Sequence, residues 1–83
     1  MRVVAELPHE VCKITIFSMN QKFIIKLEKG IYEQTFKVSE KDLMDGVNDV
    51  FKMLDEEFMT QVAGRFDQMR TDFSHAFKRF ESL

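Results

Sequence analysis

The chain has one cysteine, one proline, three glycines, two histidines and no tryptophan among 83 residues. The lone Cys12 rules out an internal disulfide. A structural zinc needs four ligands, and His9, His75 and Cys12 are the only soft donors present. A chain this short buries a modest share of its surface and usually needs a staple, which leaves oligomerisation as the remaining one. No apolar run approaches the ~20 residues of a membrane span, so no membrane partner is expected. Residues 1–7 are too short for a secretory h-region and carry Arg2 and Glu6, which with the unpaired thiol gives the expectation of a cytoplasmic protein. Lys and Arg number 12 against 14 Asp and Glu, a net charge of -2 that argues against a general polyanion binder but leaves room for a local basic face.

What the sequence does have is phenylalanine, nine of them, with six methionines as pliable filler. Pro8 closes an N-terminal arm over residues 1–10. From Val11 the pattern alternates, with Cys12, Ile14 and Ile16 on one side and Lys13, Thr15 and Phe17 on the other, which predicts a strand with one buried face. A turn around Asn20 follows, its loop being either residues 18–21 or Asn20-Gln21, and the second choice sets Lys13 opposite Glu28. Phe23, Ile25 and Leu27 then alternate with Lys22, Ile24, Lys26 and Glu28 as a second strand. Lys29-Gly30 reverses the chain, Gly30 being free to adopt a positive φ, and Tyr32, Gln34, Phe36 and Val38 mark a third strand. Hydrophobic parity selects an even loop here, with Leu27 opposite Tyr32, Ile25 opposite Gln34, Phe23 opposite Phe36 and Lys26 against Glu33.

Ser39 has the marks of an N-cap, with Asp42 at the third helical position and Val38 placed to staple onto Leu43. Past Gly46, a candidate break in the first turn, apolar residues recur at Val47, Phe51, Leu54, Phe58, Val62, Phe66, Met69, Phe73, Phe77 and Phe80, a mean spacing of about 3.7 residues. Two arrangements follow from Gly64. Either one helix runs through it, straight or kinked, or it turns a helical hairpin; the unbroken phase of the stripe and the lack of loop residues around it favour one helix. The expectation is a single α+β domain, a three-stranded antiparallel meander over 11–38 followed by one long C-terminal helix over 39–82.

A helix of roughly 35 residues is about 50 Å long, while strands of about seven residues span some 23 Å. The sheet therefore covers the near half of the stripe and leaves Phe66, Met69, Phe73, Phe77 and Phe80 bare, on the order of 10 kcal/mol of gross burial awaiting a partner. A homodimer built through those residues is the simplest answer; the arm folding back, a hairpin at Gly64 or a foreign protein partner are the others.

Catalytic and ligand patterns are thin. His9 and Cys12 name the partners of a thiol protease and have half-zinc spacing, but Cys12 alternates with core isoleucines, where an inert buried thiol is expected. Asp42-Leu43-Met44-Asp45-Gly46 fails as a calcium loop because Leu43 and Lys52 stand where ligands are needed, and Asp55-Glu56-Glu57 reads as solvated helix surface. No phosphate loop or nucleophile elbow is present, so neither an enzyme nor a cofactor is expected. The outer sheet face carries Phe17, Ile24 and Ile31 among Lys13, Lys22, Lys26 and Lys37. Those lysines with Phe17 form the one candidate nucleic-acid face, diluted by Glu28 and Glu33, and a nucleic-acid-associated regulator is the second functional reading.

The strings Pro8-His9-Glu10-Val11-Cys12-Lys13-Ile14, Phe17-Ser18, Lys22-Phe23-Ile24-Ile25-Lys26-Leu27-Glu28 and Glu33-Gln34-Thr35-Phe36-Lys37 resemble those of a family of small bacterial proteins of the Bacteroidetes type. The resemblance spans nearly the whole chain and implies a β3-α fold with no established activity, and so carries over no functional residue. The leading reading is a non-enzymatic homodimeric interaction module.

Overall fold

The computed structural model describes residues Met1–Leu83. Four strands, β1 (Arg2–Pro8), β2 (Lys13–Met19), β3 (Lys22–Lys29) and β4 (Tyr32–Ser39), form one antiparallel sheet in the order β1-β2-β3-β4. A single 3-10 turn, Glu40–Asp42, leads to a short helix α1 (Val47–Met53) and then to the long helix α2 (Glu56–Glu81). The architecture is α+β, as expected, with four strands in place of three.

The additional strand is the N-terminal arm, which pairs along β2 from Arg2↔Ser18 to Pro8↔Lys13. Its pattern hides it: the register slips between Val3 and Ala5, so Val4 is an extra residue and the strict alternation of a strand is lost. Pro8 is tolerated because it ends an edge strand, where a missing N–H breaks no interior ladder.

The β2–β3 hairpin turns on Asn20-Gln21, both at positive φ (51° and 62°), and Lys13 faces Glu28. Two left-handed residues in a two-residue loop match the twist of the flanking strands. In the β3–β4 hairpin Gly30 has φ 62° and the loop is Gly30-Ile31, which sets Lys29 opposite Tyr32, Leu27 opposite Gln34, Ile25 opposite Phe36 and Phe23 opposite Val38. The expected register was two residues off. Its parity was right, because a two-residue slide leaves every side chain on its face whereas a one-residue slide would invert them all. Lys26 accordingly sits opposite Thr35 and reaches Glu33 diagonally at 3.8 Å.

The helical region departs more from expectation. Ser39 ends β4 and its hydroxyl caps nothing; the chain makes one 3-10 turn and leaves it in extended backbone at Leu43. Gly46, at φ 56°, precedes α1, and the Asp49 carboxylate accepts the Met44 and Asp45 N–H groups at 2.8 Å each. Those two hydrogen bonds hold the Asp49 carboxyl below the usual carboxylate range. The break in the long helix falls at Leu54-Asp55 rather than Gly64. Asp55 is extended and its carboxylate accepts the Phe58 N–H at 2.9 Å, an N-cap backed by Glu56 and Glu57 in the first turn, with Lys78 and Arg79 completing the dipole pairing in the last. The Asp55-Glu56-Glu57 run is thus a helix start as well as a solvated surface.

α2 passes through Gly64 without interruption and lies across one sheet face. The core joins Cys12, Ile14, Ile16, Phe23, Ile25 and Leu27 of the sheet side to Val50, Met59, Val62 and Phe66. One polar side chain is buried among them. Gln34 donates from Nε2 to the Val62 carbonyl at 3.1 Å and accepts from Arg65 Nη1 at 2.8 Å on Oε1, so both ends of its amide are satisfied.

Two outcomes follow. Gly64 faces solvent, and a Cβ built there meets nothing within 4 Å. Gly64→Ala is expected to raise unfolding free energy by about 1 kcal/mol, read by denaturant titration, through helix propensity and a smaller unfolded-state entropy. Gln34→Ala is expected to lower it by about 1–3 kcal/mol, while Gln34→Leu falls closer to the native value: Val62 O keeps its helical donor and Arg65 turns to water, so no buried group is left orphaned. Equal losses for both would show that the hydrogen bonds rather than the packing carry the site.

Candidate functional site

α2 has 26 residues, about 39 Å of helix, and the sheet supports only its first part. The break at Leu54-Asp55 makes the phase of α2 its own. Within it Met59, Val62, Phe66, Met69, Phe73, Ala76 and Phe80 recur at alternating spacings of three and four, the a/d pattern of a coiled-coil seam. Met59, Val62 and Phe66 are buried against the sheet. Beyond them the seam runs off the sheet into solvent, and the molecule is correspondingly elongated, 51 Å in its longest dimension.

The overhang carries the site. Phe73, Phe77 and Phe80 are 55%, 51% and 66% exposed, and Ile31 at the tip of the β3–β4 hairpin is 79% exposed. Ile31, Tyr32, Met69, Asp72, Phe73 and Ala76 line an open groove of about 540 Å³ where the hairpin meets the helix. Tyr32 meets Phe73 edge-on at 6.4 Å between ring centroids, and Phe77 and Phe80 lie 5.9 Å apart. Five of the six groove residues are hydrophobic and the sixth, Asp72, accepts a hydrogen bond from Gln68 Nε2 at 2.8 Å.

Of the residues expected in an assembly face, Phe66 is withdrawn: it is part of the chain's own core, packed with Met59 and Val62 against the sheet. Met69 is half-buried at the boundary, and Phe73, Phe77 and Phe80 are exposed, Phe73 with one edge against Tyr32. Sequence reasoning missed Ile31, Tyr32, Asp72 and Ala76. Ile31 had been placed on the outer sheet face; as a loop residue it belongs to neither face and projects toward α2. The signal for Ala76 was available in the three-four spacing, once the count began at Met59.

The lysines expected on the outer face are there. Register places Lys13, Lys22, Lys26 and Lys37 with Phe17 on the side away from α2, Lys13, Lys22 and Lys37 being exposed. Glu6, Glu28 and Glu33 share that face, and Lys26 lies 3.9 Å from Glu28 and 3.8 Å from Glu33. Phe17 is half-buried beside Val3 and Ile24 rather than projecting as a stacking platform.

His9 and Cys12 are not arranged as a nucleophile and base. The Val11 N–H donates to His9 Nδ1 at 3.0 Å, which occupies that nitrogen's lone pair. Burial pushes the Cys12 thiol above its ordinary pKa, with Lys29 pulling weakly the other way. His75 is on the exposed surface of α2, no group of three or more His, Cys, Asp or Glu side chains is placed to hold a metal ion, and no helix is long and apolar enough to cross a membrane.

Comparison with protein-family models, with curated proteins and with solved structures finds no match to this chain. The reading of the site rests on its geometry.

With its pKa raised, Cys12 is protonated at neutral pH, and alkylation in the native state is expected to be slower than in the same chain unfolded in denaturant. Native labelling faster than the unfolded control, followed by mass spectrometry, would mark an activated thiol.

Proposed function

We propose that the protein is a non-enzymatic interaction module of the cytoplasm that works as a homodimer, assembled through the overhanging end of α2. The observation that carries this is the run of exposed aromatic side chains, Phe73, Phe77 and Phe80, at the overhanging end of α2, flanked by half-buried Met69 and by Ile31 at the hairpin tip. Scattered exposed apolar residues need no explanation, whereas a contiguous patch on one helix face does. At about half of the 150–250 Å² that an aromatic side chain buries, the three phenylalanines offer roughly 300 Å² on each copy, to which Ile31 and Met69 add. Two copies together stay below the roughly 1,000 Å² of a standard interface, which is the size of a weak or transient contact, and a micromolar dimer is the affinity class that fits.

The small size of the core supports the same reading. Thirteen of 83 residues are buried, a small core for a free-standing domain, and covering the overhang would add to it. The nucleic-acid reading has less to stand on, since acids interleave its lysines and its single aromatic is tucked between neighbours.

Light scattering across about 1–100 μM, a range bracketing micromolar dissociation, is expected to give a mass that rises to that of a dimer. Phe73→Glu, which sets a charge in the middle of the patch, is expected to hold the chain at monomer mass with its fold retained. A wild-type monomer throughout, or a Phe73→Glu variant that dimerises like the wild type, would overturn the proposal.

A further inference from the structure

We infer that the second copy docks antiparallel, in one register, with Asp72 and Arg79 as the residues that select it. The inference rests on the dimer proposed above and adds its orientation, its pairing and its specificity.

In the seam of α2, Phe66, Phe73 and Phe80 hold one set of core positions and Val62, Met69 and Ala76 the other, so that in an antiparallel pair each residue of the first set meets one of the second. One alignment satisfies every exposed position at once. Met69 packs on the partner's Phe80 and Phe73 on the partner's Ala76, and the two-fold repeats both contacts. Large thus meets small at the centre, which lets the helices approach, and the partner's Phe80 arrives at the open groove between Met69 and the Ile31-Tyr32 hairpin. Only the overhangs overlap, about 16 Å of helix from Met69 to Phe80, and of each copy's sheet only the Ile31-Tyr32 end of the β3–β4 hairpin meets the other.

The charges flanking the seam fit the same alignment without adjustment. Asp72 and Arg79 occupy equivalent flanking positions one heptad apart on the groove side, too far from each other to pair within one chain. Arg79 makes no ion pair in the monomer, the four present being Lys26–Glu28, Lys26–Glu33, Lys52–Asp49 and Arg70–Asp67. In the antiparallel register Asp72 faces the partner's Arg79, and Arg79 the partner's Asp72. On the opposite flank Arg70 comes beside the partner's Phe77, a cation over an aromatic ring.

A parallel in-register pair fails on each count. It would stack Ala76 on Ala76 and leave a gap, set Arg65 against the partner's Arg70, and bring two sheets to the same end of the seam, where that face of the helix is already covered.

Charge reversal separates the alternatives, and both positions are exposed, so neither change threatens the core. Asp72→Arg alone and Arg79→Asp alone each turn two attractions into two repulsions, and each variant is expected to dissociate at least about tenfold more readily than the wild type at low ionic strength. Mixing the two single variants, one of them tagged, is expected to yield a heterodimer tighter than either homodimer, and the double variant to dimerise again. If the wild type is a dimer and both single variants dimerise as it does, or the mixture shows no preference for the heterodimer, the register is wrong while the dimer stands. A wild type that stays monomeric at about 100 μM removes the dimer itself.

Discussion

The seating of α2 on the sheet through Val62 and Phe66 is the constraint from which the rest of the molecule follows. Both side chains are buried to within 2% of full coverage, and at about 1.5–3 kcal/mol for each large apolar group they anchor the helix together with Met59, the third buried side chain of α2. Gln34 removes the freedom to slide. Its amide grips the Val62 carbonyl at 3.1 Å and the Arg65 guanidinium at 2.8 Å, contacts that a shift of one helical residue would break. With that point pinned, the residues after Phe66 have to project past the β3–β4 hairpin, and their exposure is a consequence of length rather than of loose packing.

The same anchor explains why the helix breaks where it does. Strand β4 ends at one side of the sheet, and the chain must return over the face before α2 can begin. Residues 40–55 make that return through a 3-10 turn, a glycine at positive φ and the two-turn helix α1, which is too short to be stable alone and packs against the core through Val50. Asp55 then restarts the helix with its own cap. A stripe counted continuously from Val47 keeps a plausible period across this break because α1 and α2 each turn an apolar face to the same sheet, which is how two helices came to read as one.

An exposed seam and a small core belong together in a chain of this size. The sheet and the first part of α2 make a domain with little margin, and the surplus of aromatic surface is gathered at one end of one helix, beside charges whose spacing suits a second copy running the other way. Nothing else on the surface combines apolar area, a concave approach and unpaired charge in one place. The lysines of the outer face are distributed among glutamates, and the thiol is raised in pKa rather than activated.

Local sequence by itself determined the elements whose physics is local: β2, β3 and β4 from period-two alternation, the Gly30 reversal from a positive φ, the faces of those three strands from hydrophobic parity, and a long aromatic-lined helix through Gly64 from a phase that no breaker disturbs. It also placed Phe73, Phe77 and Phe80 in the open, because a helix longer than its sheet must overhang. Tertiary structure alone decided the remainder. The bulge at Val4 erased the alternation that would have revealed β1; the hairpin loop, not the hydrophobic pattern, chose between registers two residues apart; and the break at Leu54-Asp55, with the burial of Phe66 and the groove under Ile31, depends on where the chain has to cross the sheet, a distance in space that no local window of residues encodes.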